Sequence, residues 1–256
     1  MRIRSWNLYH GNTSPPGPAV HLAEMVGLAA ADRPDVLVLQ EVPVWALASL
    51  EAWSGMGAVG DVAQRPRLGP VPIAAGLGRA LTDLNPGLLR SAFSGQGNAI
   101  LLDERHRVVR REVVPLNPTG FRRQQASRLG LDLVTRLAWG KERRICQVVR
   151  LADGLVIANL HATGSLGDPR IPAAELRRAV PLIESLAQPD DLVVIAGDFN
   201  ALAAHWVLEG YSEPGPGIDH IAVRGAEPSP IEVWPDERRL RDGMLLSDHS
   251  PIELEL

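Results

Sequence analysis

Val193-Val194-Ile195-Ala196-Gly197-Asp198-Phe199-Asn200-Ala201 reads as a buried strand that stops at a polar edge. Val193 to Ala196 is an apolar, β-branched run, the pattern of a strand covered on both faces. Gly197 allows a bend or a close backbone approach. Asp198 and Asn200 follow, two residues apart. If the backbone stays extended, both side chains point to one side. A carboxylate and an amide then meet at a strand end, where the Asp can orient and deprotonate a water and the Asn can hold it or a phosphate oxygen. A plain turn is the alternative, since Asp and Asn both favour turns.

Working outward, the chain has 256 residues, 45% of them hydrophobic, enough to bury a large core as a single domain over 1–256. No apolar run has the length of a membrane span. Met1-Arg2-Ile3-Arg4 leads into a strand pattern with no secretory signal. Cys146 is the one cysteine, so neither an internal disulfide nor a cysteine metal cluster can form. A reducing, cytoplasmic setting fits. Net charge is −4, unlike a dedicated nucleic-acid binder. No obligate protein partner is evident.

Arg2 to Asn7 alternates and predicts a strand ending at Asn7. Ala19 to Ala31 has helical spacing. Val36 to Leu39 is a second strand, ending at Gln40-Glu41, and Val44 to Trp53 predicts a short helix. Residues 55 to 95 carry many Gly and Pro and define no clear element. Asn98 to Leu102, Arg107 to Val114, Leu129 to Leu137 and Ile145 to Leu151 predict strands. The last forms a hairpin with Leu155 to Leu160 through Ala152-Asp153-Gly154. Ile171 to Leu186 has helical spacing despite Pro181. Ile218 to Val223, Ile231 to Trp234 and Ile252 to Leu256 predict the late strands.

Polar clusters end five apolar strands: Asn7, Gln40-Glu41, Asn159 with His161, Asp198 with Asn200, and Asp219-His220. A sixth, Ser247-Asp248-His249-Ser250, precedes the final strand. Each alone has an ordinary loop explanation. Together they match the strand ends where α/β cores form ligand sites. Glu41, Asp198 and Asp248 are hard oxygen donors, with Asn7 and Asn200 as neutral partners, which suits Mg²⁺ or Mn²⁺ over zinc. Asp219 and Asp248 are candidates to orient His249. No nucleophile elbow, P-loop or dinucleotide fingerprint is present.

The chain resembles the endonuclease/exonuclease/phosphatase superfamily, which includes abasic-site endonucleases, pancreatic-type deoxyribonucleases, sphingomyelinases and inositol polyphosphate phosphatases. Trp6-Asn7, Leu39-Gln40-Glu41, Gly97-Asn98-Ala99-Ile100-Leu101, Asn159-Leu160-His161, Gly197 to Ala201, Ile218-Asp219-His220-Ile221 and Ser247 to Pro251 carry the resemblance, in family order. It implies a four-layer α/β sandwich of two packed, mostly antiparallel sheets flanked by helices. It implies Glu41 as principal metal ligand with Asn7 beside it and Asp248 on the metal side. Asp198 would align or deprotonate the attacking water, and Asn200 would hold the polar geometry. His249, paired with Asp219, would contact the scissile phosphate, with His161 near the phosphate or leaving group. Gly217 stands where the family usually has Arg, and the segment between Ala201 and Ile218 is short.

The function expected is a metal-dependent phosphodiesterase acting by in-line attack of water, on nucleic acid. The alternatives are a small-molecule or lipid-headgroup phosphoesterase and a non-catalytic phosphate- or nucleic-acid-binding protein. Residues 104 to 144 hold ten arginines and Lys141, the only lysine, against Glu104, Glu112, Asp132 and Glu142. One reading is a basic ridge tracking a polyanion, with Arg105 and Arg107 on one strand face and Arg122-Arg123 in a loop. The other is a set of solvated faces and local ion pairs. Asn98, Arg122, Arg123 and Arg144 are the substrate-binding candidates.

Overall fold

The computed structural model describes residues 1–17, 20–84, 93–164, 167–206, 208–212 and 215–256. The expected helix start at Ala19 lies outside them. The chain divides into two compact units, Met1–His106 with Ser229–Leu256, and Arg107–Pro228.

Along the chain, the main strands are β1 (Arg2–Asn7), β2 (Val36–Val42), β3 (Gly57–Gln64), β4 (Gln96–Leu102), β5 (Val108–Pro115), β6 (Ile145–Leu151), β7 (Leu155–His161), β8 (Leu192–Asp198), β9 (Asp219–Arg224), β10 (Glu232–Val233) and β11 (Ile252–Glu255). The α-helices are α1 (Leu22–Ala30), α2 (Leu50–Ser54), α3 (Ala75–Leu84), α4 (Thr119–Arg128), α5 (Leu133–Lys141) and α6 (Arg170–Leu186).

In the first unit a six-stranded sheet runs β10-β11-β1-β2-β4-β3. Only β1 and β2 are parallel in it, with Asn7 opposite Gln40. A parallel pair needs a crossover, and α1 supplies it. Leu22, Met25, Val26 and Ala29 make its buried stripe at helical spacing, packed with Trp6, Leu37, Leu39, Ala99 and Leu101. Each fully buried Leu, Met or Val there contributes roughly 1.5–3 kcal/mol. Val36 and Val38 alternate to the other face and are equally buried. The polar edge of β1 is tied by the buried Arg4. It hydrogen-bonds Asp32 at 2.7 Å and Glu253 on β11, and lies against the Trp234 ring.

In the second unit a five-stranded sheet runs β9-β8-β7-β6-β5, and again one pair, β7 with β8, is parallel. Its crossover is α6, which packs Leu176, Ala179, Ile183 and Leu186 with Val156, Ala158, Leu160, Val193 and Ile195. The helix continues through Pro181. Each unit therefore holds one βαβ crossover, and a parallel pair gathers its C-terminal ends on one edge.

Several expectations change. Leu129 to Leu137 is not a strand. Asp132 accepts from Thr135 N at 2.9 Å and caps α5, which runs from Leu133. Arg122 and Arg123 lie on α4, not in a loop. Arg105 is off any strand and ion-pairs with Asp35 and Asp103. Residues 55 to 95, which define nothing by periodicity, include β3 and α3. Only Glu232–Val233 of the expected 231–234 strand pairs.

Candidate active site

The two parallel pairs place the candidate residues. In the first unit, the β2–β4 register shifts between Leu39 and Val42, so Glu41 sits in an irregularity. Its φ of +53° is left-handed, a conformation that costs about 1–2 kcal/mol for a residue with a Cβ. The carboxylate is mostly buried, with Oε2 3.2 Å from His10 Nε2. Ser94 Oγ lies 3.3 Å from His10 Nδ1 and donates to the Gly95 carbonyl. With its own hydrogen on Gly95, the Ser94 hydroxyl faces Nδ1 as an acceptor. His10 is a residue that strand-end reasoning missed, since it belongs to the short turn after β1.

Asn7 ends β1, with its Oδ1 accepting from Tyr9 N at 3.0 Å. Its backbone carbonyl accepts from Ser247 Oγ at 2.7 Å. Ser247 is itself left-handed, φ +65°, and its hydroxyl also accepts from His249 N at 3.1 Å. Buried Arg239 donates to the Leu246 and Ser247 carbonyls at 3.0 and 2.9 Å. Trp6 Nε1 donates to His249 O at 2.9 Å. Five hydrogen bonds thus fix Leu246 to His249 beside Asn7. Asp248 points outward, 3.9 Å from His249 Nε2. Asn98 is buried within β4, opposite Asp61 on β3.

The donors in this unit fit a hard divalent cation: Glu41 and Asp248 are carboxylates, and Asn7 adds a neutral amide. The imidazole against Glu41, that of His10, is engaged through both ring nitrogens.

In the second unit, His161 ends β7 and Asp198 ends β8, directly opposite each other. His161 Nε2 lies 3.6 Å from Asp198 Oδ2, both buried. Arg144 Nη1 lies 2.6 Å from His161 Nε2. The same Nη1 lies 3.1 Å from His161 Nδ1, so the guanidinium covers both ring nitrogens. Gly197 is required one residue earlier. Its φ is +141°, and a Cβ there would stand 2.0 Å from the Leu160 carbonyl oxygen.

The extended backbone ends at Asp198, so the strand-parity route to Asn200 fails. Asn200 is left-handed, φ +50°, and its N–H donates to Asp198 Oδ1 at 2.9 Å, an Asx turn. Its side chain still turns back, donating to the Ala162 carbonyl at 2.9 Å. Ala162 N in turn donates to Asp198 O at 3.0 Å. Asp219 faces Asp198 across β8–β9. The neighbouring His220 is a core residue. It lies 2.8 Å from the Ala201 carbonyl and packs on Phe199 and Trp206, and burial pushes its pKa down.

Behind His161 lies a buried polar network that the sequence reading did not find. Glu175 accepts from Trp139 Nε1, Thr163 N and Thr163 Oγ1, each at 2.7 Å. Thr163 Oγ1 accepts from Asn117 at 3.0 Å, and Asn117 accepts from Arg144 N at 3.2 Å. Burial pushes the Glu175 carboxyl up, opposed by these hydrogen bonds. The signal was available: Glu175 sits in the i+4 row of Ile171, Ala179 and Ile183 on the apolar face of α6.

Of the remaining candidates, Arg144 stands beside His161, while Arg122 and Arg123 project from α4.

A sequence model of the Endonuclease/Exonuclease/phosphatase family matches residues 5–249. The chain belongs to this family. Among curated proteins none matches the sequence. An Enterococcus faecalis protein described as functionally unknown and conserved shares the fold at a TM-score of 0.68 and 15% identity, covering 100% of this chain and 98% of its own. An endonuclease/exonuclease/phosphatase from Beutenbergia cavernae is similar at 0.66 and 17%, covering 100% and 71%. D. rerio TDP2, solved with a single-strand DNA product, is similar at 0.64 and 15%, covering 99% and 97%. These likenesses carry the fold: an α/β family member with sheets flanked by helices, as the resemblance implied.

Proposed function

We propose that this family member is a metal-dependent phosphodiester hydrolase. The observation that carries the reading is the buried Asp198 at the end of a parallel strand pair, its carboxylate held by Asn200 N and its backbone set by Gly197 and Ala162. Asp198 takes a proton from the attacking water as its oxygen bonds to phosphorus. The opposite P–O bond breaks, and the leaving oxygen departs with the electron pair and takes a proton from solvent water. Asn200 keeps Asp198 and the Ala162 carbonyl in register. His161, held beside Arg144, is placed to hydrogen-bond near the leaving oxygen. His249 serves the negative charge that develops on the phosphoryl group, with Asp219 proposed as the partner that keeps it oriented or charged. Glu41 and Asp248, with Asn7, would hold Mg²⁺ or Mn²⁺, which when bound supplies positive charge to the phosphoryl oxygens. Asn98 is proposed to contact substrate.

The substrate proposed is a nucleic-acid strand, supported by the single-strand DNA product held by a protein of the same fold. A second reading, a lipid-headgroup phosphodiester, is favoured by the exposed apolar ridge of α5 described below. A panel of plain and abasic DNA, RNA, sphingomyelin, inositol phosphates and a chromogenic diester, with Mg²⁺ and with chelator, tests both. Turnover of an oligonucleotide alone among the natural substrates supports the first reading. Turnover of the lipid alone supports the second, and turnover of none rejects the hydrolase.

A further inference from the structure

The hairpin of α4 and α5 carries an apolar ridge that nothing in its own unit covers. Leu133, Val134 and Leu137 are 70%, 76% and 61% exposed. At i, i+1 and i+4 they share one arc of α5. The inward arc is accounted for, because Trp139 is buried with Ala126, Leu131 and Ile171. Single exposed aliphatics need no explanation, but three contiguous ones on a short helix mark a contact surface.

The same hairpin holds a cavity of about 370 Å³, lined by Thr119, Arg122, Arg123, Arg136 and Trp139 among others. Arg122 lies 3.4 Å from Thr119 Oγ1, and Arg136 donates to the Leu131 carbonyl at 2.7 Å. Among the described residues, no carboxylate ion-pairs with Arg122, Arg123 or Arg136. Burial, then the charge of Arg143, pushes the Arg122 pKa down, with Glu175 opposing and Arg123 adding a smaller push. Residues 119–143 carry six basic side chains against Asp132 and Glu142, in a chain whose net charge is −4.

Charge and apolarity together select the occupant. A nucleic-acid strand would use the arginines but gain nothing from aliphatics, since bases stack on aromatic faces. The hairpin's Trp139 is buried, and Phe121 is half-buried with Arg178 over its ring. A second copy across a two-fold axis would set arginines against arginines. An anionic membrane surface answers both features: aliphatics enter the acyl boundary while basic side chains meet headgroup phosphates. No helix among the described residues is long and apolar enough to cross a membrane, so the contact is peripheral.

We propose that the α4–α5 hairpin docks this protein on an anionic membrane surface, with Leu133, Val134 and Leu137 inserted and Arg122, Arg123 and Arg136 holding headgroup phosphates. The proposal does not depend on which phosphoester is cleaved.

Vesicle co-sedimentation in chelator tests it, comparing phosphatidylcholine alone with mixed phosphatidylcholine–phosphatidylglycerol. Each basic side chain at an anionic surface is worth about fivefold. The protein should therefore prefer the mixed vesicles by at least roughly tenfold. Arg122→Gln with Arg123→Gln should remove most of that preference, and Arg122→Lys with Arg123→Lys should keep it. Leu133→Ser, Val134→Ser and Leu137→Ser together should cut binding about tenfold or more. These side chains are exposed, so the unfolding midpoint should stay put, and its constancy separates docking from folding. Equal pelleting with both vesicles, or an unchanged serine variant, overturns the proposal. So does arginine-dependent binding of a labelled single-stranded oligonucleotide without vesicle binding, which assigns the hairpin to nucleic acid. A concentration-dependent dimer abolished by the serine variant would assign the ridge to a second copy and overturn it as well.

Discussion

Trp6 donates its indole N–H to the carbonyl oxygen of His249, 2.9 Å away across 243 residues of sequence. The bond ties the end of β1 to the segment just before β11, which pairs with β1 antiparallel. It sets the backbone of His249, while Ser247 sets the amide on its other side.

Trp6→Phe keeps most of the buried ring and removes the donor. The orphaned carbonyl should cost about 1–3 kcal/mol of stability. Phosphodiester turnover should fall on the order of tenfold to a hundredfold, the effect of a small displacement of a reacting group. Kinetics and thermal unfolding together check this. A loss of stability with unchanged turnover would show that the bond serves the fold alone.

Gly197→Ala should abolish folding or cost more than about 3 kcal/mol, because both the backbone conformation and the Leu160 carbonyl exclude a Cβ. Gly120→Ala, in α4 where a Cβ meets nothing, is the matched control and should be stabilising by roughly 0.5–1 kcal/mol. Soluble yield and unfolding midpoints of the pair decide it.

Acid should weaken the fold in part through Asp32. The hydrogen bonds from Arg4, with the charges of Arg4 and Arg2, hold its carboxyl well below the usual carboxylate range. A depressed folded pKa contributes stability that is complete above the unfolded value, about 3.9, and is lost as pH falls below it. Asp32→Asn should therefore be less stable than the native chain at pH 7, with the gap closing towards acid pH. A gap independent of pH would contradict this.

How far the sequence disclosed these features follows from locality. Strand edges were readable because alternating or apolar runs give way to polar residues at Asn7, Gln40, His161 and Asp198, and the family motifs lie on those edges. The α4–α5 hairpin was not. Leu129 to Leu137 has enough β-branched and aliphatic residues to imitate a strand, and the Asp132 cap outweighs that pattern. Residues 57–64 were hidden by glycines that lower strand propensity but suit close packing, as at Gly60 against Leu47. Asn200 reached the strand edge by a left-handed turn, where strand parity had pointed to continued extension. His10 and Glu175 are long-range partners whose roles depend on Glu41 and Thr163, and no local pattern encodes that.

The central claim is metal-dependent hydrolysis with Asp198 as the base, and one titration tests it most directly. Hydrolysis of a chromogenic phosphodiester is followed after exhaustive chelation and then as Mg²⁺ is restored, for the native chain and for Asp198→Asn. The expected result is no turnover without metal and full recovery with it. The variant should stay folded by circular dichroism yet run slower by on the order of 10²–10⁴ at saturating Mg²⁺. Undiminished turnover in the metal-free protein, or an Asp198→Asn rate within about tenfold of native, well short of what a positioned base is worth, would contradict the account.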